Sequence, residues 1–162
     1  MKKVVLVVAF ALIGFVVQAQ EGFKIGVNAQ LPVGDAADVY SFGLSLDLLY
    51  MFEVSESFDI GITTGFSNAF LKSEFKDFGD PAQFIPIAAA ARFKASEDFS
   101  IGADLGYALG INEGNDGGFY YRPIVGYDVS EMAQLTLSYS GVSVKDADFT
   151  FSTINLGVLF SL

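Results

Sequence analysis

Bulky apolar residues occupy every second position over most of the chain, and Gly, Ser, Thr, Ala, Asn and Asp fill many of the positions between. A period of two over many short stretches predicts strands with one apolar face each. Two stretches repeat the pattern closely: FDIGITTGF at 58–66 and FSIGADLGY at 99–107, both F-x-I-G-x-x-x-G-aromatic. Eight strands can be marked out, at 22–32, 39–52, 58–70, 85–95, 99–111, 119–129, 133–142 and 150–162. The fourth is the least regular, because Ala88 to Ala91 would suit a helix, but Pro86 and the neighbouring turn signals favour a strand. The connections alternate in length. EVSES (53–57), SED (96–98) and SEM (130–132) are short; VGDAADV (33–39), LKSEFKDFGDPA (71–82), NEGNDGG (112–118) and VKDADF (144–149) are mostly longer and carry the Gly and Asp of turns. An even number of strands with one short-turn end and one long-loop end predicts an all-β fold: an eight-stranded antiparallel up-and-down barrel. The octave is then a repeat of height, each copy starting a strand at the short-turn end, and not a solenoid motif.

The next question is which face meets water. A soluble barrel would turn its large apolar residues inward and show Lys and Glu outside. The smaller face here is mostly Gly, Ser, Ala, Thr, Asn and Asp, with Lys24, Arg92, Lys94 and Arg122 as its cations. Eight strands enclose a lumen just wide enough for side chains, and small residues suit it. The aromatic residues are also sorted by height. Phe23, Phe52, Phe58, Phe93, Phe99, Tyr127 and Phe160 fall at the short-turn end; Tyr40, Phe42, Phe66, Phe70, Tyr107, Phe119, Tyr121 and Tyr139 fall towards the other. Ile, Leu, Val and Ala lie between. Two aromatic girdles around an aliphatic band are what a bilayer's two interfaces select. The expectation is therefore a transmembrane barrel, large residues towards lipid and small ones along the axis.

The N-terminus supplies a route to that membrane. Met1-Lys2-Lys3 precedes a short apolar run from Val4 to Val17, and Ala19 offers a small residue for cleavage. The run is shorter than the roughly 20 residues of a membrane helix, which predicts a signal peptide at 1–19 and a barrel domain at 20–162. Without Lys2 and Lys3, seven basic residues face nineteen acidic ones. That balance argues against nucleic acid as a partner. The chain has no Cys and no His, which excludes disulfides, thiol catalysis and the usual zinc sites.

The last strand, Asn155-Leu156-Gly157-Val158-Leu159-Phe160-Ser161-Leu162, reads polar-x-Gly-x-x-apolar-x-apolar. With the eight strands and the girdles, it makes the mature chain resemble the small eight-stranded outer-membrane β-barrel proteins of Gram-negative bacteria, especially the outer membrane protein beta-barrel domain group. The Gln-Ala-Gln junction resembles those of Bacteroidetes. The resemblance implies residence in the bacterial outer membrane among its lipids, as a monomer. It also implies that Asn155, Gly157, Phe160 and Leu162 form the signal read by the barrel-assembly machinery, although this chain ends in Leu where Phe is commoner.

Chemistry is sparse. Asp47, Asp59, Asp104, Asp128, Arg92 and Arg122 fall on the inner face. Aligning the hairpin of strands four and five on Ala95 and Phe99 sets Arg92 opposite Gly102, one diagonal step from Asp104, which predicts an ion pair and a plugged lumen. Lys24 and Lys94 lie nearer the mouth, where solvation is an alternative. The loops at 112–118 and 76–81 offer oxygen atoms, but neither follows a calcium-loop pattern, and turn chemistry explains both. No metal, cofactor or catalytic residue is assigned, since no nucleophile–base pair is visible. Phe75 and Phe78 make 71–82 a candidate contact loop, or one whose rings fold onto the rim. Two other readings stay open: a soluble exported barrel of lipocalin type holding an apolar ligand, and a non-pore subunit of an envelope assembly.

Overall fold

Each alternating stretch forms a strand, and the eight pair in sequence order, every neighbour antiparallel, into a closed barrel. The computed structural model describes residues 22–75, 77, 79–144 and 149–162. The proposed signal peptide, and Lys76, Phe78 and 145–148 of the loops, lie outside them. The strands are β1 (Phe23–Val33), β2 (Tyr40–Ser55), β3 (Phe58–Leu71), β4 (Ala82–Lys94), β5 (Phe99–Gly110), β6 (Gly118–Ser130), β7 (Ala133–Val144) and β8 (Thr150–Ser161). They are 11 to 16 residues long, enough for tilted strands to cross a hydrocarbon core. β8 closes on β1 from Lys24↔Ser161 to Val33↔Ser152, so the sheet has no free edge. Closure satisfies the backbone without water, which a lipid-facing sheet requires.

Three local features depart from simple alternation. The stretch 33–39, expected to be a loop, contains a one-turn helix, α1 (Ala36–Val39), with Ala36 fully buried. β4 begins at Ala82, three residues before the expected start, which shortens the loop before it. A bulge between Tyr40 and Phe42 shifts the β2–β3 register. Alternation places Tyr40 outside and Ser41 inside. The extra residue reverses both: Tyr40 packs on Phe151 at 5.3 Å between ring centroids, and exposed Ser41 donates from Oγ to the Phe70 carbonyl. Tyr40 thus leaves the upper girdle and joins the core.

Pro86 and Pro123 sit in mid-strand. β3–β4 pairing lapses between Thr64↔Ile87 and Ser67↔Phe84, and β6–β7 pairing lapses between Tyr121↔Gly141 and Ile124↔Ser138. Proline has no N–H to donate, so one side of each strand loses a rung.

The packing is inverted relative to a soluble protein. In the octave, Phe58 and Ile60 are exposed while Asp59 and Gly61 turn in; in its second copy, Phe99 and Ile101 are exposed while Ser100 is buried and Asp104 is 0% exposed. Leu46, Ile62, Ile87, Leu105, Leu137 and Leu156 are all half or more exposed. These six come from six different strands and form the aliphatic band. A belt of that size in water would be an aggregation surface, so it is a lipid-facing one.

Candidate functional site

The lumen holds the chain's densest polar chemistry. Asp104 on β5 and Arg122 on β6 are register partners. Arg122 donates from Nε to Asp104 Oδ2 at 2.8 Å, and its Nη2 lies 2.7 Å from the same oxygen. Its Nη1 reaches across the lumen to Asp47 Oδ2 on β2, at 2.6 Å. Arg92 on β4, opposite Gly102, donates from Nη1 to Asp104 Oδ1 at 2.7 Å and also to the Ala91 carbonyl. Asn28 donates to Asp47 at 2.9 Å and to Ser45 at 3.0 Å. Two arginines and two aspartates therefore form one alternating chain, Arg92–Asp104–Arg122–Asp47, buried throughout. Charges in so narrow a space are tolerable because each residue is paired and hydrogen-bonded, with Arg92 Nη2 left as the buried nitrogen without a partner among the described residues.

Glycine makes the room. The repeated F-x-I-G places Gly61 opposite Met51 and Gly102 opposite Arg92, both long inward side chains. A Cβ on Gly102 would collide with the Ala91 carbonyl oxygen and lie 2.6 Å from Arg92 Cδ. Gly102→Ala should therefore lower the unfolding free energy by about 1–3 kcal/mol, the usual cost of overpacking, read as a lower urea midpoint in vesicles.

The other two aspartates lie nearer the short-turn mouth. Asp59 faces Arg92 in register, but Arg92 turns to Asp104; Asp59 Oδ1 instead lies 3.4 Å from Lys94 Nζ, an ion pair without a hydrogen bond. Lys94 is partly exposed and also meets Glu53 at 3.6 Å. Asp128 accepts from Gln134 Nε2 at 2.7 Å. Lys24 is half-buried at the start of β1.

Apolar plugs flank the charges. Towards the long loops, Phe84, Tyr120, Phe151 and Val142 pack together, with Phe84 and Phe151 centroids 5.1 Å apart. Towards the short turns, Leu49, Met51, Ala90 and Leu159 form a second cluster. Between the upper plug and the arginine chain, Asp47, Arg122, Phe84, Phe151 and Asn155 border a cavity of about 30 Å³. That is the space of about one water molecule.

The terminal-strand residues have structural positions. Asn155 is buried and donates to Ser140 and Ser138, while its Oδ1 accepts from Thr153 at 2.9 Å. A Cβ on Gly157 would strike Asn28 Oδ1, so that glycine admits Asn28. Phe160 is exposed in the lower girdle with Phe52, Phe58, Phe93, Phe99 and Tyr127, and Phe23, half-buried beside them, packs on Tyr50. Leu162 N–H donates to the Phe23 carbonyl at 3.1 Å. In the loop at 112–118, Asn112 Oδ1 accepts from the Gln83 amide, and Asn115 donates to the Gln83 carbonyl and to Asn112. These two side-chain amides clamp the loop to β4. No cluster of three or more acidic residues suited to a metal occurs among the described residues. Alternation alone missed the Arg122–Asp47 bridge, although both residues carry the inward parity that made it available.

No protein-family model matches the chain, and no curated protein matches it in sequence. Solved structures do match in fold. Ail, the attachment invasion locus protein of Yersinia pestis, superposes with a TM-score of 0.58 at 15% identity, covering 86% of this chain and 95% of Ail. Neisserial surface protein A gives 0.52 at 13% identity, covering 88% and 98%. A de novo designed transmembrane β-barrel gives 0.56 at 12% identity, covering 90% and 98%. This is the fold of the small outer-membrane barrels. Fold and inverted packing together make the chain an integral transmembrane β-barrel of the outer-membrane type.

Proposed function

We propose that this barrel is a sealed, non-catalytic platform that presents its extracellular loops to a partner at the cell surface. The sealed lumen carries this reading: the arginine chain lies between two apolar plugs, and the cavity beside it has room for about one water. A continuous water path for solutes is thereby blocked, which leaves the loops and the outer wall as working surfaces. Ail, by name an attachment protein, has the same fold at low identity and supports a surface-contact role only as an analogy. Insertion through the barrel-assembly machinery and a monomeric state belong to the same proposal.

The expected result in planar bilayers at neutral pH is an absence of large, stable open channels. A persistent conductance of porin size would overturn the platform reading and leave the fold untouched.

The charge of the loop crown supports a basic rather than an acidic partner. Ail has been solved with a heparin analogue, sucrose octasulfate, which is a polyanion. The four longer connections of this chain carry nine acidic residues against three lysines. Repulsion at that crown should leave immobilised heparin unbound at physiological salt. Salt-sensitive retention on a heparin column would contradict it.

A further inference from the structure

At the extracellular mouth the loops enclose an open cup of about 360 Å³ above the upper plug. Its floor is aromatic: Phe84 and Phe151 from the plug, with Tyr40 brought in by the β2 bulge and set edge-on to Phe151. Phe75 and Phe149, both half-buried, form the walls, so Phe75 of the candidate contact loop does fold onto the rim. Exposed Asp80 and Glu113 stand at the edge. The loop bearing Glu113 is held in place by the Asn112–Asn115–Gln83 clamp. An aromatic floor under an acidic rim suits one kind of group, an apolar stem ending in a positive charge. The stem packs against the accessible rings of Tyr40, Phe75 and Phe149, and the rim carboxylates neutralise the charge.

We infer that the cup receives an arginine or lysine side chain from a basic segment of a partner protein. This deepens the platform reading and rests on it. The extent of the acidic surface favours a protein segment over a small cation: Asp35, Asp38 and Asp116 lie on the same loops but outside the cup, where only a larger basic partner uses them. The cup volume, near the lower limit of about 300 Å³ for ligand pockets, suits one seated side chain rather than a bulky ligand.

The test uses the barrel in phosphatidylcholine nanodiscs, with its heat-shifted gel band confirming the fold. The probes are acetyl-Gly-Leu-Arg-Leu-Gly-amide, its citrulline counterpart and benzyltrimethylammonium, each referenced to empty nanodiscs. Amide shifts of Ala82, Asn112 and Val144 report occupancy. The arginine peptide is expected to saturate these shifts, with the citrulline peptide about tenfold weaker, the step that 1.4 kcal/mol of charge recognition produces. Asp80→Asn with Glu113→Gln is expected to weaken the arginine peptide about tenfold, and Phe149→Ala to weaken both peptides. No saturable shift on a folded barrel, equal binding of the two peptides, or unchanged binding by the Asp80/Glu113 variant would overturn the inference. Tighter binding of benzyltrimethylammonium than of the arginine peptide would overturn it in favour of a small-cation site. A conducting barrel in planar bilayers is a separate result that fails the platform reading instead.

Discussion

Replacing Arg122 with Met should cost about 3–5 kcal/mol of unfolding free energy, the penalty for stranding a buried charge. Arg122 is 4% exposed and is the bond between two buried aspartates, Asp104 at 0% and Asp47 at 7%. Without it, Asp104 keeps Arg92, but Asp47 keeps only the neutral donor Asn28. Adding Asp47→Leu should then restore most of the loss, because the stranded charge is gone and a leucine fills the space. The two changes are thus expected to be strongly non-additive, as for any two members of one network. Urea titrations in phosphatidylcholine vesicles, followed by the heat-shifted gel band, would measure both variants. If the single variant loses under 1 kcal/mol, or the double variant is no better than the single, the arginine chain is not what holds the lumen together.

The second large effect lies on the opposite face. Leu137→Arg places a charge in the middle of the aliphatic band, where Leu137 is half exposed beside Val125 and Leu156. The expected cost is about 2–4 kcal/mol, falling to about 0–1 kcal/mol for Val129→Arg near the short-turn interface. The contrast between the two sites carries the test, since both residues are about half exposed on the outer face and their depths in the bilayer differ. Equal costs at both positions would mean that the outer surface is not graded by a membrane. A soluble barrel holding an apolar ligand would show no such gradient.

Much of this was readable along the chain because a strand's two faces are written in alternate letters. Phe58, Ile60 and Asp59, or Ile101 and Asp104, declare their sides whatever their neighbours do. The Arg92–Asp104 contact was legible for a related reason: a three-residue turn fixes the hairpin register, so a diagonal pair can be counted off. Tyr40 was not legible. Its side depends on a single-residue bulge, and one residue is enough to exchange inside and outside. Phe84 lay outside the expected fourth strand, since the glycine- and aspartate-rich loop before it hid three residues of pairing.

Strand number, antiparallel order and the inversion of the packing are written in the chain itself, because they follow from period two, turn spacing and the sorting of aromatics by height. Only the folded barrel shows that Arg122 spans to Asp47, that Asn28 fits over Gly157, and that five aromatic rings line one cup beneath the loops. Those contacts join strands that are not neighbours in sequence or segments around a bulge. Their partners are set by how the sheet closes on itself, a relation that no local stretch of residues contains.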